Sequence, residues 1–179
     1  INHSYKISGG KRFKFGKHGL SIFAVAMHNT DYSYTKEIVR NSNTAGVVYQ
    51  DQIGYKYSNK ISQLGLANVK YEIGNAHFIA YNFMMFHANN QYIGEYTGKQ
   101  TEKHQDSENG MGYLRRQQMN DNLLFTHQIL SKWTLAKKLN LTTDFSYNSI
   151  KGLEPDRREN YLSQKNDSTY GFTGSNRQK

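Results

Sequence analysis

Between positions 134 and 147 polar and apolar side chains alternate without a break. Leu135, Leu139, Leu141, Phe145 and Tyr147 fall on odd positions, with Lys137 and Thr143 among them. Thr134, Ala136, Lys138, Asn140, Thr142, Asp144 and Ser146 hold the even ones. Side chains of an extended chain point alternately to opposite faces, so this segment carries one largely apolar and one polar face as a strand. As a helix it would leave Leu135, Leu139 and Phe145 on a broken stripe. The alternation predicts a strand over 134–147.

Similar segments precede it. Residues 19–36 hold Phe23, Val25 and Met27 on one face and turn polar through Asn29, Asp31 and Ser33. Residues 58–73 set Ile61, Ala67, Val69, Tyr71 and Ile73 against Ser62, Asn68, Lys70 and Glu72, with Leu64 and Leu66 breaking the alternation. Residues 76–97 are apolar on both faces near Met84, Met85 and Phe86, and residues 112–131 start polar and end apolar. Short links are expected at Gly16-Lys17-His18-Gly19, Gly74-Asn75-Ala76 and near Ser131-Lys132-Trp133. Glycine and asparagine there suit tight hairpins. Long polar links are expected over 37–57, 98–111 and 152–168.

Each pair of strands is thus apolar near a short turn and polar near a long loop. Short turns, an apolar band of about 25 Å and longer polar loops are what an outer-membrane barrel requires. Strands of roughly 15–20 residues also exceed the usual 3–10 of soluble sheets. A soluble sandwich or small barrel accounts for the alternation equally well, but not for the loop lengths. Trp133, Phe13 and Phe15 lie beside short turns, where barrels carry aromatic girdles.

Composition agrees. The chain has 179 residues, 14 Tyr, 9 Phe, one proline and no cysteine. Such a mixture, rich also in Asn, Thr and Gly, favours extended structure over helix. Without cysteine there is no disulfide and no thiolate metal site. No apolar run approaches the ~18 residues of a membrane helix, but a barrel strand needs only about 9–11. The net charge of +9 is spread over Lys11-Arg12-Lys14-Lys17, Arg115-Arg116, Arg157-Arg158 and scattered lysines. Without a concentrated basic patch, no nucleic-acid partner is expected.

Two runs carry a family resemblance. Ser8-Gly9-Gly10-Lys11-Arg12-Phe13-Lys14-Phe15-Gly16 with Leu20-Ser21-Ile22-Phe23-Ala24 is one. Asp144-Phe145-Ser146-Tyr147-Asn148 followed by Glu154-Pro155-Asp156-Arg157-Arg158 is the other, and Leu66-Ala67-Asn68-Val69-Lys70-Tyr71 adds a third, weaker match. Together they resemble barrel strands of TonB-dependent outer-membrane receptors of the Bacteroidota type, over most of residues 8–160. The resemblance implies an all-β, antiparallel, up-and-down transmembrane barrel with short periplasmic turns and long extracellular loops. It implies a larger parent of 22 strands with a plug domain and a TonB box that takes energy from the inner membrane. Residues 1–179 would supply about seven strands of that single barrel domain, too few to close a plugged lumen, so an internal piece is expected. The implied partners are outer-membrane lipid, the plug, TonB and a surface lipoprotein.

The seven histidines show no metal-ligand spacing. His77 and His87 share parity but stand roughly 33 Å apart along a strand. Neither a metal nor a cofactor is expected. Gly110-Met111-Gly112 lacks the helix start and Lys-Ser/Thr of a phosphate cradle, and nothing places a catalytic triad. Glu102, Asp106 and Glu108 read as an ordinary solvated acidic loop. The expected activity is therefore transport of a siderophore, cobalamin, glycan or peptide, not catalysis. Lys138, Asn140, Thr142 and Asp144 are the expected lumen-facing residues. Tyr49, Tyr55, Glu154, Asp156 and Arg157 are the expected extracellular-loop residues, the last three as a carboxylate–arginine cluster. Two rivals remain. One is a soluble or cell-surface β-domain whose Tyr32, Tyr34, Tyr49, Tyr55 and Tyr57 grip a protein or carbohydrate; the other is a passive porin.

Overall fold

The computed structural model describes residues 1–74, 76–107, 109–136, 139–166, 169–172 and 177–178. They form one antiparallel sheet in which each strand pairs with the next. The strands are β1 (His3–Phe15), β2 (His18–Ser42), β3 (Val48–Ile73), β4 (His77–Gln100), β5 (Met111–Ala136), β6 (Leu139–Asn166), β7 (Thr169–Phe172) and β8 (Arg177–Gln178). β7 and β8 both pair with β6, and β1 pairs only with β2, so the sheet stays open. Among the described residues there is no helix and no second layer. The all-β, antiparallel, up-and-down reading holds at that level.

Five strands are longer than expected: β2 to β6 run 25, 26, 24, 26 and 28 residues. Most of the three expected long loops is strand. The connections shrink to 43–47, 101–110 and the two positions 167–168, the last outside the described residues. The reason is physical. Where both faces of a sheet meet water, both are polar, and the period-2 signal disappears even though the ladder continues. The polar side chains there pair across strands instead, as Arg40 does with Asp51 and Asn41 with Gln50.

The third short turn is also displaced. Ser131-Lys132-Trp133 lies inside β5, and the hairpin falls between Ala136 and Leu139, so 134–147 is two strands and not one. A register shift between Thr134 and Ala136 explains why the alternation crosses it unbroken. The extra residue restores parity, and odd positions on both arms share a face. At the other two turns Gly16 and Gly74 take φ of 60° and 61°, the left-handed conformation such hairpins need. Asn75, between Gly74 and Ala76, lies outside the described residues.

The sheet has almost no core. Ala80 and Tyr161 are the buried apolar residues among those described. Domains normally bury one face of a sheet against another layer. Here Leu139, Leu141, Phe145 and Tyr147 stay 56%, 47%, 66% and 57% exposed, with no layer of described residues over them.

Candidate functional site

The register sorts every side chain onto one of two faces, and paired positions share a face. On the first face, the rows nearest the short turns are apolar. The row through Ile22 reads Ile22, Val69, Tyr81, Ile129 and Phe145; the rows beside it bring Ala24, Ala67, Phe83 and Tyr147, and Leu20, Tyr71 and Ile79. The lower margin is aromatic, with Phe13 stacked near Phe15 and the Trp133 ring 5.4 Å from His77. The band ends after the row of Ala26, Gly65, Met85 and Phe125. The next row is His28, Gln63, His87, Leu123 and Lys151. From His18 to Ala26 is about 26 Å of strand. Lys11, His127, Ser131, Thr143 and Ser149 interrupt the band. Lys11 folds over the Phe13 ring, and His127 bonds the Tyr81 hydroxyl at 2.8 Å.

The second face is more polar at the same height, although Phe78, Ala80, Leu130, Val25, Leu66 and Met84 also lie on it. Arg12, Lys70, Glu72 and Lys132 flank a hydrogen-bond ladder that crosses four strands. Asn68 donates to Asn82, Asn82 to Gln128 at 2.9 Å, and Gln128 to both oxygens of Asp144 at 3.3 Å. Phe23, Val25 and Met27 lie on this face and not on the apolar band. They pair with Asn68, Leu66 and Leu64, and the last two with Met84 and Phe86. Leu64 and Leu66, which break the sequence alternation, therefore belong to a narrow apolar belt on an otherwise polar face.

Further from the short turns the second face carries an ion network. Arg116 and Arg157 both reach Glu159, at 3.2 and 3.1 Å. Lys56 stands 4.6 Å from the Tyr92 ring centre and 3.8 Å from Glu37. Tyr92 donates to Gln118 at 2.7 Å. Tyr96 donates to Glu37 at 3.0 Å with its ring laid over Gly54 and Gly94, where any Cβ would collide with it. The sequence marked Arg115-Arg116 and Arg157-Arg158 as basic pairs, and Arg157 also as part of a cluster with Glu154 and Asp156. The sheet splits each pair: Arg116 and Arg157 enter the network, while Arg115 and Arg158 pair with Glu95 and Asp156 on the first face.

The expected lumen residues Asn140, Thr142 and Asp144 share the second face, Asn140 accepting from Thr134 at 2.8 Å and Asp144 ending the ladder. Lys138 lies outside the described residues, as does Glu108. The expected loop residues all fall on strands. Tyr49 opens β3, and Tyr55 faces the first side, stacked 6.1 Å from Tyr34. Glu154, Asp156 and Arg157 sit in β6 where its register shifts against β5. The cluster separates there, with Arg157 joining Glu154 and Glu159, and Asp156 joining Arg158 and Gln117. No three His, Asp or Glu among the described residues gather as a cation site.

The connection 101–110 is anchored by a residue the sequence gave no reason to single out. His104 is fully buried. It fills the space above Gly112, lies 6.1 Å from the Tyr161 ring, and has Ser163 Oγ 3.5 Å from Nδ1. Its Nε2 is buried without a hydrogen-bond partner, and burial pushes its pKa below the usual histidine value. A histidine with a depressed folded pKa favours folding above its unfolded value, near 6.5, and that contribution is lost as pH falls through the folded pKa. Acidification below about pH 6.5 is expected to loosen this connection first. Proteolytic nicking of 101–110 measured against pH checks this, and a His104→Phe variant is expected to remove the pH dependence.

Side by side, the two faces differ: within a fixed height the first is mostly apolar and the second mostly polar. Among known proteins the chain matches no family model and no curated sequence.

Proposed function

We propose that this chain is a stretch of wall from an outer-membrane β-barrel, belonging to a TonB-dependent receptor that imports a nutrient. The observation that carries this reading is the exposed, mostly apolar band on one face, about 20 Å tall at a barrel strand's usual tilt and backed by a more polar face. Water cannot satisfy backbone groups inside lipid, so strands crossing it must pair on both sides. β2 to β5 do so along the whole band. The remaining strands of a closed barrel would pair with the free edges.

In this reading the first face contacts hydrocarbon and the second lines the lumen. The amide ladder and the ion network present fixed donors and acceptors to a plug or a passing substrate, and the wall performs no chemistry. A siderophore, cobalamin, glycan or peptide fits that role. The receptor, as opposed to the porin, follows from the resemblance of residues 8–160. It is tested by uptake: import that stops when the proton-motive force is collapsed supports the receptor, and import that continues identifies a passive pore. Extraction tests the membrane assignment itself. The full-length protein is expected to stay with membranes in alkaline carbonate and leave them only in detergent.

A further inference from the structure

The first face changes chemistry in a fixed order up the strands. Above the apolar band comes a row containing His28, Gln63, His87 and Lys151, with His3 stacked 5.7 Å from His28. His28 contacts Gln63, Gln63 contacts His87, and His87 lies 2.6 Å from Asp121, the carboxylate of the next row. Above these rows opens a cleft of about 270 Å³ lined by Tyr32, Tyr57, Asn59, Gln91, Gln117 and Asp156. Tyr32 and Tyr57 are 52% and 53% exposed. Tyr32 lies about 20 Å along the strand beyond Ala26, or roughly 15 Å above the band at barrel tilt.

The cleft, lined also by Ile93 and Met119, sets apolar surface beside groups that can take hydroxyls. Asn59 Oδ1, and Asn89 Oδ1 a rung below, are buried acceptors without a partner. Unsatisfied acceptors of this kind are costly and rare. Gln91 spends its amide on the weak acceptor Met119 Sδ at 3.6 Å, so a better acceptor would win it. Asp156 accepts from Gln117 and Arg158. Exposed aromatic rings beside amides and a carboxylate match the C–H faces and hydroxyls of a sugar.

Acyl chain, phosphate and sugar occur in that order along one class of molecule. We propose that this strip of the outward face binds a lipopolysaccharide-type glycolipid. Its acyl chains lie on the apolar band, its phosphates at Lys151 in the row above it, and its first core sugars in the Tyr32–Tyr57 cleft. The lipid-anchored source is preferred to a free saccharide because the cleft opens on the same face as the band and directly above it. The proposal rests on the membrane reading.

The test uses the full-length protein in detergent micelles, with two probes of equal acyl and phosphate content. One is lipopolysaccharide carrying a core oligosaccharide, the other diphosphoryl lipid A. The wild type is expected to prefer the sugar-bearing probe, and Tyr32→Ala with Tyr57→Ala to lose about tenfold of that preference. Lys151→Ala is expected to weaken both probes alike. Equal binding of both probes by the wild type overturns the sugar contact, whether or not the variants fold. Tight binding of the free core oligosaccharide overturns the lipid-anchored source. A protein that remains in water without detergent overturns the membrane reading instead, which keeps the two failures apart.

Discussion

Replacing Phe145 with arginine is expected to cost the folded protein roughly 2–4 kcal/mol in lipid vesicles, the usual penalty for a cation at a barrel's mid-membrane lipid face. Phe145 lies in the middle row of the apolar band and is 66% exposed, touched by no second layer. The neighbouring Ser146→Arg, on the polar face, is expected to stay within about 0.5 kcal/mol. Denaturant midpoints of the two variants measure the difference. The contrast is sharp because water reverses it: an exposed phenylalanine on a soluble sheet can become arginine at almost no cost. Equal midpoints for the two variants would mean that the band faces water.

The second large effect concerns the chain by itself. Fixing one residue costs about 1–2 kcal/mol of conformational entropy, which a soluble domain recovers by burying apolar surface. With Ala80 and Tyr161 the only buried apolar residues among those described, this sheet recovers little. Residues 1–179 alone, diluted from denaturant into detergent-free buffer, are expected to precipitate and to show no cooperative unfolding transition. Detergent micelles are expected to keep them in solution with a β-rich circular dichroism spectrum. A soluble monomer that unfolds cooperatively in plain buffer would favour the rival soluble β-domain.

What the sequence disclosed, and what it hid, follows from where water lies. Along this end of β3 one face is apolar and the other polar, so the alternation of Val69, Tyr71 and Ile73 against Asn68, Lys70 and Glu72 could be read directly. Above the band both faces are polar, and the strands carrying Tyr55, Glu154 and Arg157 looked like loops. Phe23, Val25 and Met27 misled for the opposite reason. Both faces of β2 are apolar there, and only the pairing with Leu64, Asn68 and Met84's neighbour Leu66 shows which side they join. The hairpin between Ala136 and Leu139 was concealed by the register shift that keeps odd positions on one face. His104 was invisible because its role comes from Gly112 and Ser163, brought together by pairing of β5 and β6. Asp144 was legible as a polar-face residue from parity alone, but its ladder through Gln128 and Asn82 needed the register.

The central claim is that hydrocarbon covers the first face between His18 and Ala26 and the matching rows of the other strands. The chain contains no cysteine, so single cysteines can be placed at successive positions from Leu139 to Tyr147 and spin-labelled in the protein reconstituted in vesicles. The account predicts that labels at 141, 143, 145 and 147 collide with dissolved oxygen far more than with a water-soluble nickel chelate, and that labels at 140, 142, 144 and 146 do the reverse. Labels equally open to the nickel chelate at odd and even positions would contradict it.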